Sequence, residues 1–398
     1  MATRVRSYSK INLGLAIGPV RGDGFHGLAT LYQTLALHDV VTVTARSPRS
    51  PSRDLGQPLL GGAKITLTTN HAQVPTDARN TAWKMVERTL ERMNVVAEVA
   101  IHIEKQLPVQ GGMGAGSANA AAALIGLERE LGVELAQAER LAIAAEVGSD
   151  VPLFLVGGAV LGVGRGEIVS PMQDLPATVC VIAVPEIGVS TPRAFRDWDE
   201  KAASSVRDEA AGLTSSPCSD RLEQLSHVYV SVLGEPLIGS PQQGNPQTEQ
   251  TPDTSGIVRG RSSERNRGGL GGETLERGST WNGLAENSLL ALVRTGIEND
   301  FESVVFPQYP LLREIKRLLM GPPANGFGAG NSGISRPEDT SGDAIVAALS
   351  GSGSALFGLY RSRADAEAAQ RRVQAAGCKA LLTETLPRQQ YWRTMFAE

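Results

Sequence analysis

The amino-acid sequence predicts a mixed α/β (α+β) protein with two unequal domains. The chain has 398 residues, which is enough for two ordinary domains with large buried cores. Its composition, 41% hydrophobic and 20% charged, is typical of a globular protein. Segments with strand-like alternation and segments with helical spacing follow one another along the chain. We therefore expect an N-terminal domain over residues 1–185 and a C-terminal domain over residues 186–398.

The predicted elements follow from the period of the apolar residues, which differs between strands and helices. Strands are predicted at residues 8–17, 35–44, 64–69, 97–104, 151–163, 178–184, 344–349 and 355–360. Helices are predicted at residues 81–93, 119–131, 136–147, 285–294, 309–320 and 363–376. The two kinds of element are mixed in both halves of the chain, which supports the predicted fold class.

Polar segments rich in glycine, proline and serine interrupt this pattern at residues 46–62, 239–282 and 321–341. The second segment has too few apolar residues to bury a core, so disorder is expected there. We expect the C-terminal domain to carry disordered inserts over about 201–282 and 321–341. All are interpreted as loops added to a scaffold that folds without them.

Charge, cysteine content and hydropathy exclude several classes of protein. The formal net charge of −4 gives no basic surface for nucleic acid. Cys180, Cys218 and Cys378 have no metal-ligand spacing, and an odd, sparse set indicates a reducing compartment. The longest apolar run, residues 151–163, is too short to span a membrane, and no signal peptide is evident. We expect a cytoplasmic protein without membrane contact, either a monomer or a weak homodimer.

Residues 107–123, LPVQGGMGAGSANAAAA, form a glycine-rich loop that leads into an alanine-rich helix. The glycines before the helix are Gly111, Gly112, Gly114 and Gly116. Glycine leaves backbone N–H groups uncovered and permits positive φ. We expect Ser117 to cap a helix that begins near Asn119, where free amides and the helix dipole favour an anion. The segment is either a phosphate-binding loop or a plain turn before a core helix.

A lysine and a carboxylate are the candidates for catalysis. In the strand at residues 9–15, Lys10 and Asn12 share the face opposite to the apolar residues. They either face water or line a cleft in which Lys10 supplies a fixed positive charge. Asp150 stands between a helix and an apolar run, where aspartate is common as a turn residue. A carboxylate near Lys10 would instead act on a substrate hydroxyl as a general base or orienting group.

Two loops offer further contacts. Residues 21–26 form a turn that ends in Phe25 and His26, which is either an ordinary loop or a site for a planar base. Residues 350–354, SGSGS, lie between two predicted strands. This second loop of small residues is either a β-turn or a place where the second half of the chain approaches a phosphate closely.

Taken in order, these segments resemble the GHMP kinase family, which includes galactose, homoserine, mevalonate and phosphomevalonate kinases. Residues 108–119, PVQGGMGAGSAN, are similar to the second motif of the family, and residues 350–354 to its third. Four stretches resemble one branch of the family: SKINLGL with DGFH and TLYQ, IEKQLP, GSDVPLF, and NDFE with PQYP. The match spans residues 8–192, 286–320 and 347–376, so it leaves out the inserts.

The resemblance implies an N-terminal ATP-binding domain like ribosomal protein S5 and a ferredoxin-like C-terminal domain. It implies ATP and Mg²⁺ as cofactors and Lys10 and Asp150 as the catalytic pair. The residues expected around the ATP phosphates are Pro108, Val109, Gln110, Gly111, Gly112, Met113, Gly114, Ala115, Gly116, Ser117 and Ala118. Asn80 and Lys105 are expected near the adenine. The metal ligands are unknown, with Ser117 a candidate through Mg-ATP.

The substrate that the resemblance implies is a small molecule, a cytidine diphosphate-linked methylerythritol. Its 2-hydroxyl would be phosphorylated on the non-mevalonate route to isopentenyl diphosphate. Phe25 and His26 would hold the cytosine, with Phe195 stacking on its other face. Asn12 and Thr191 would complete the substrate cleft.

The chain departs from the family pattern at a few of these positions. Met113, Ala115 and Ala118 replace the usual leucine, glycine and serine of the glycine-rich loop. Ala118 lacks a hydroxyl that could meet phosphate or metal, which leaves Ser117 as the candidate donor. Phe25 stands where tyrosine is usual, which keeps stacking but loses an O–H group.

Two other functions stay open on the sequence alone. Another small-molecule kinase of the family, for homoserine or isopentenyl phosphate, would share the glycine-rich loop. It would give no role to residues 23–26 or to Phe195. A non-catalytic relative that only binds a ligand would not need both Lys10 and Asp150.

Overall fold

A computed structural model of the chain describes residues 2–46, 64–109, 111–209, 298–321 and 343–398. Several predictions lie outside these residues: those for Gln110, Cys218, the helix at 285–294, and most of the three polar inserts. Within the described ranges, no helix is long and apolar enough to cross a membrane.

The first half of the molecule is built on a sheet that has seven strands in the described part of the chain. They are β1 (Thr3–Val20), β2 (His26–Arg46), β3 (Lys64–Thr69), β4 (Glu98–Glu104), β5 (Ala159–Gly164), β6 (Ile168–Pro171) and β11 (Phe396–Ala397). The order is β11-β1-β2-β4-β3, and β5 pairs with β2 and with β6. Among these described strands, β3 and β4 pair in parallel and the other pairs are antiparallel. The long strands β1 and β2 therefore form the centre of this sheet.

The second half is a sheet of four antiparallel strands, as far as the described residues go. They are β7 (Val179–Val184), β8 (Val346–Leu349), β9 (Leu356–Tyr360) and β10 (Lys379–Glu384). Their spatial order is β10-β7-β9-β8, which is 4-1-3-2 in chain order. Helices α4 (Thr191–Glu209), α5 (Glu302–Gln308) and α6 (Pro310–Met320) lie between β7 and β8, and α7 (Arg363–Ala375) precedes β10. This βαββαβ arrangement confirms the predicted ferredoxin-like fold.

Helices cover one face of the first sheet, and the second sheet covers the other. The helices are α1 (Thr81–Met93), α2 (Ala115–Leu131) and α3 (Gln137–Val147). On the opposite face, Ile11 and Leu31 pack in one cluster with Ile182 and Phe357 of the second sheet. Because layers lie on both sides, β1 is buried almost from end to end, including its polar residues.

The chain crosses between the two halves near its end. After β10, α8 (Arg388–Arg393) returns to the first sheet, where the ring of Tyr391 lies 5.1 Å from that of Tyr8. The predicted division after residue 185 lies just beyond β7, although β7 pairs within the second sheet. The division into two domains therefore stays a prediction. In the structure, the chain passes from the first sheet to the second between β6 and β7.

Several predicted bounds are confirmed, including those of β3 and α1. The strand predicted at residues 151–163 is wrong over its first half. Pro152–Leu155 form a 3₁₀ turn, and the strand begins only at Ala159. Proline fixes φ and lacks an N–H, and Gly157 and Gly158 take φ of 70° and 71°, so the chain cannot extend there.

The start of α2 also differs from the prediction. The helix begins at Ala115, and its N-cap is Gly114, with a φ of 69° and no side-chain cap. Ser117 therefore lies in the first turn of the helix and does not cap it. The cause is the preceding loop, which needs a left-handed residue next to the helix, and glycine supplies it without strain.

Candidate active site

A cleft of about 640 Å³ lies along β1 and β2, beside the start of α4 and the loop at residues 350–354. The structure brings both predicted catalytic residues and all five predicted substrate residues to this cleft. They are Lys10, Asn12, Phe25, His26, Asp150, Thr191 and Phe195. Residues from both halves of the sequence thus line one cavity, as the resemblance implied, while their individual roles stay predictions.

Lys10 and Asp150 form an ion pair in this cleft. The Lys10 Nζ lies 3.3 Å from Asp150 Oδ2 and donates a hydrogen bond of 2.6 Å to Asn12 Oδ1. Lys10 and Asn12 are 2% and 1% exposed, which excludes the alternative that they face water. Asp150 sits in the turn after α3, and its side chain is 32% exposed. A buried cation therefore stands beside a carboxylate that the cleft can reach.

The pairing of β1 with β2 orients these side chains. Between two bulges, Lys10 pairs with Thr34 and Asn12 pairs with Tyr32, so the alternation of β1 is preserved there. Asn12 Nδ2 donates to Thr30 Oγ1 at 2.7 Å, and that hydroxyl donates to the Gly14 carbonyl at 2.8 Å. These bonds fix the Asn12 amide so that its oxygen faces Lys10.

The two glycine-rich loops are joined by direct contacts. The Gly111 carbonyl accepts a 3.0 Å bond from Ala355 N, and the Gly112 carbonyl accepts a 2.9 Å bond from Ser350 Oγ. A Cβ on Gly112 would overlap the Ser350 carbonyl oxygen. The loop at residues 350–354 is therefore more than an ordinary β-turn: it packs against the glycine-rich loop.

The first turn of α2 follows this contact directly in the chain. Backbone N–H groups at the start of a helix have no partner within it, so they suit an anion. The Ala118 amide is already used, since it donates to the Gly114 carbonyl at 2.9 Å. The side chains of Met113, Ala115 and Ala118 are buried. Their departures from the family pattern therefore affect the core of the protein, and Ser117 is the residue within 108–118 that carries a side-chain hydroxyl.

Asn80 and Lys105 are engaged within the protein. Asn80 caps α1 by accepting from Ala82 N at 2.9 Å, and its amide donates to the Pro75 carbonyl at 2.7 Å. Lys105 Nζ lies 2.5 Å from Asp39 Oδ2, with the two side chains 3% and 0% exposed. Both polar groups thus have partners within the protein, and the place of these two residues near the adenine stays a prediction.

At the aromatic end of the cleft the predicted cytosine-binding residues lie together, and their contacts with the base stay a prediction. The His26 and Phe195 rings stack on each other, with centroids 4.7 Å apart and planes at 13°. A base between them would need about 7 Å, two contacts of about 3.5 Å each. His26 Nε2 lies 2.7 Å from Asp199 Oδ1. Phe25 is 52% exposed, and the Arg165 guanidinium lies 5.0 Å from its ring centroid.

Sequence reasoning missed Asn299 and Glu302, which hold the loop at residues 350–354. Asn299 Nδ2 donates to the Leu349 and Gly351 carbonyls at 2.8 and 2.7 Å, and Glu302 Oε1 accepts from Leu349 N at 2.8 Å. Both belong to the NDFE stretch that carries part of the resemblance, so its spacing was the available signal.

Tyr32 was missed as well. Its hydroxyl donates a 3.0 Å hydrogen bond to Asp150 Oδ1. Burial, followed by the charge of Asp150, raises the pKa of Tyr32 well above its ordinary value, so the hydroxyl remains a donor. Tyr32 belongs to the TLYQ stretch that carries part of the resemblance, so that stretch was the available signal. No cluster of three or more His, Cys, Asp or Glu able to hold a metal occurs among the described residues.

Comparison with known families gives matches in both halves of the chain. The family model for the GHMP kinases N terminal domain matches residues 80–158, and that for GHMP kinases C terminal matches residues 340–379. Among solved structures, a 4-(cytidine 5'-diphospho)-2C-methyl-D-erythritol kinase aligns over 96% of this chain and 98% of its own, with a TM-score of 0.55 and 21% identity. Homoserine kinase from Cytophaga hutchinsonii aligns over 98% of this chain and 96% of its own, with a TM-score of 0.57 and 16% identity. These two likenesses concern the fold.

Sequence similarity to curated proteins is higher. A relative in Leifsonia xyli subsp. xyli is 37% identical over 52% of this chain and 64% of its own length. One in Corynebacterium diphtheriae is 42% identical over 48% of this chain and 63% of its own length. One in Salinispora arenicola is 37% identical over 59% of this chain and 70% of its own length. All three are named 4-diphosphocytidyl-2-C-methyl-D-erythritol kinase. The alignments with the first two span less than two thirds of those relatives.

Proposed function

Since this chain belongs to the GHMP kinase family, we propose that it transfers the γ-phosphoryl group of ATP to the 2-hydroxyl of 4-diphosphocytidyl-2-C-methyl-D-erythritol. The observation that carries the proposal is the ion pair between Lys10 and Asp150. It lies in a cleft that is lined by Gly112 at one end and by His26 and Phe195 at the other. The names of the curated relatives supply the substrate. A cytoplasmic location and a monomer or weak homodimer remain predictions.

The glycine-rich loop and the start of α2 would bind the ATP phosphates through backbone amides. Gly112 allows the loop at residues 350–354 to close against this site, because no side chain separates them. Lys10 Nζ lies near both loops: a Cβ built on Gly351 would be 3.7 Å from it. Its ammonium would therefore stabilise negative charge on the phosphoryl group during transfer.

Asp150 would orient the acceptor hydroxyl and accept its proton. The acceptor oxygen then forms a bond to the γ-phosphorus, the bond from that phosphorus to the β,γ-bridging oxygen breaks, and ADP leaves. Such a transfer depends on positioning and charge stabilisation more than on covalent chemistry. A site of backbone amides, one lysine and one aspartate meets those requirements.

The residues present also fit Mg²⁺, which would enter with ATP. Mg²⁺ commonly takes phosphate oxygens, water and few protein ligands, so it would not need a dedicated protein cage here. Ser117, in the first turn of α2, is the hydroxyl that would contribute. When bound, Mg²⁺ neutralises charge on the β- and γ-phosphates.

The test is ADP release by purified full-length protein with ATP, Mg²⁺ and the cytidyl substrate. Homoserine and isopentenyl phosphate serve as alternative acceptors. Asp150→Asn is expected to lower kcat by about 10²–10⁴-fold, the range for loss of a general base, and circular dichroism checks that the variant is folded at the assay temperature. Near-normal turnover by this variant would show that Asp150 does not have the proposed role.

The panel also separates the rival functions. Turnover only of an acceptor without the cytidyl group would indicate another kinase of the family. Binding of ATP without turnover of any acceptor would indicate a non-catalytic relative. Turnover of the cytidyl substrate alone is the expected result.

A further inference from the structure

Tyr32 stands beside the proposed catalytic pair, and neither the family resemblance nor the proposed function gives it a role. It lies on β2 directly opposite Asn12, so it faces the same side of the hairpin as Lys10. The residue is 2% exposed, and its hydroxyl donates to Asp150 Oδ1 at 3.0 Å. Its buried ring belongs to the same cluster as Ala118, Leu124 and Phe154, which fixes its position.

Two glycines of the neighbouring hairpin leave room for this ring. A Cβ on Gly162 of β5 would lie 2.5 Å from Tyr32 Cε2. A Cβ on Gly166, between β5 and β6, would lie 2.5 Å from the Tyr32 hydroxyl oxygen. Real Cβ atoms do not approach so closely, so a side chain at either position would displace the tyrosine. Glycine at both positions therefore lets the ring occupy the place from which its hydroxyl bonds to Asp150.

Within the described part of the chain, Tyr32 and Lys10 are the side chains recorded in contact with the Asp150 carboxylate. Asp150 lies in a turn between α3 and the 3₁₀ turn, and its side chain is partly exposed. Tyr32 bonds to Oδ1, whereas Lys10 Nζ lies 3.3 Å from Oδ2. Lys10 Nζ also lies 5.4 Å from the centre of the Tyr32 ring, within the range of a cation–π contact. The two oxygens of the carboxylate are thus held from two different strands.

We propose that Tyr32 is a positioning residue that fixes the Asp150 carboxylate, with Oδ1 held by the tyrosine and Oδ2 directed to Lys10 and the acceptor hydroxyl. The inference rests on the proposed function, because it assigns a role to a neighbour of the proposed base. Small errors in the placement of a reacting group lower rates strongly. A carboxylate that turns freely in the cleft would spend only part of its time in the reactive orientation.

Tyr32→Phe tests the proposal, because it removes one oxygen atom and keeps the ring between the two glycines. We expect kcat to fall about tenfold, as for loss of one hydrogen bond to a charged group. The KM values for ATP and for the cytidyl substrate should change less than about twofold. The matched control is Tyr360→Phe, which removes another buried hydroxyl, bonded to the Leu319 carbonyl at 2.8 Å in the second half. It should lower the melting temperature similarly and leave kcat unchanged.

A double-mutant cycle shows whether Tyr32 acts through Asp150. If it does, Tyr32→Phe adds no further loss of kcat to Asp150→Asn, whereas additive losses would overturn the proposal. Equal kcat in the wild type and Tyr32→Phe would overturn it as well.

Crystal structures of the wild type and Tyr32→Phe give a readout that does not need activity. We expect the Asp150 carboxylate to rotate in the variant, and an unchanged orientation would refute the positioning role. If the wild type phosphorylates no acceptor, the proposed function fails, and the two crystal structures still decide how Asp150 is held.

Discussion

Replacement of Lys105 by methionine distinguishes a structural lysine from a nucleotide-binding one. The Lys105 ammonium and the Asp39 carboxylate are almost completely buried and form an ion pair just before the glycine-rich loop in the sequence. Asp39 Oδ1 also accepts bonds of 2.8 Å from Gln106 N and Leu107 N. The carboxylate thus links the lysine to the backbone that leads into the loop.

The expected loss of stability follows from this burial. Removing one member of a buried ion pair costs about 3–5 kcal/mol, because the other charge is left without compensation. Asp39 would keep its two backbone donors in Lys105→Met, so we expect the lower end, about 3 kcal/mol. At about 2–4 °C per kcal/mol for an unfolding unit of 150–250 residues, the size of the predicted N-terminal domain, the melting temperature should fall by about 6–12 °C.

The measurement is calorimetric melting together with the KM for ATP. Lys64→Met is the control, since Lys64 pairs with Glu98 on the surface, and exposed pairs contribute little. Adding Asp39→Asn to Lys105→Met removes the uncompensated charge and should restore part of the stability. An unchanged melting temperature with a strongly raised KM for ATP would refute this reasoning and favour the predicted place of Lys105 near the adenine.

Two further predictions concern the two ends of the cleft. Gly112→Ala should raise the KM for ATP roughly tenfold or more, because the new Cβ overlaps the Ser350 carbonyl and displaces the loop. Gly377→Ala has a similar φ, +79° against +78°, but meets no atom within 4 Å, so it is the matched control in the same kinetic assay. Asp199→Ala should raise the KM for the cytidyl substrate roughly threefold to tenfold with little change in kcat, because His26 loses the carboxylate that orients it. Asp197→Ala, on the same helix, should leave that KM unchanged; equal effects of the two variants would contradict the assignment.

Local patterns were sufficient for much of the fold. The alternation in residues 9–15 placed Lys10 and Asn12 on one face, and the helical spacing of residues 81–93 gave the bounds of α1. The run at residues 151–163 was misassigned because a short apolar run does not distinguish a strand from other buried structure. Pro152 and the glycines at 157 and 158 prevent a strand there, because proline fixes its φ and both glycines adopt positive φ. These backbone constraints outweigh the apolar character of the run.

The sequence by itself determined the fold class, the family resemblance and a glycine-rich loop before a helix. These features depend on local composition and spacing, which can be read from the sequence without knowledge of the tertiary structure. Only the tertiary structure decided which distant residues meet. Asp150 is 140 residues from Lys10, and the contact between them and Tyr32 depends on how α3, β1 and β2 pack. Tertiary packing also places Lys105 beside Asp39, because a buried charge requires a partner. The period of the apolar residues does not indicate which residue that partner is.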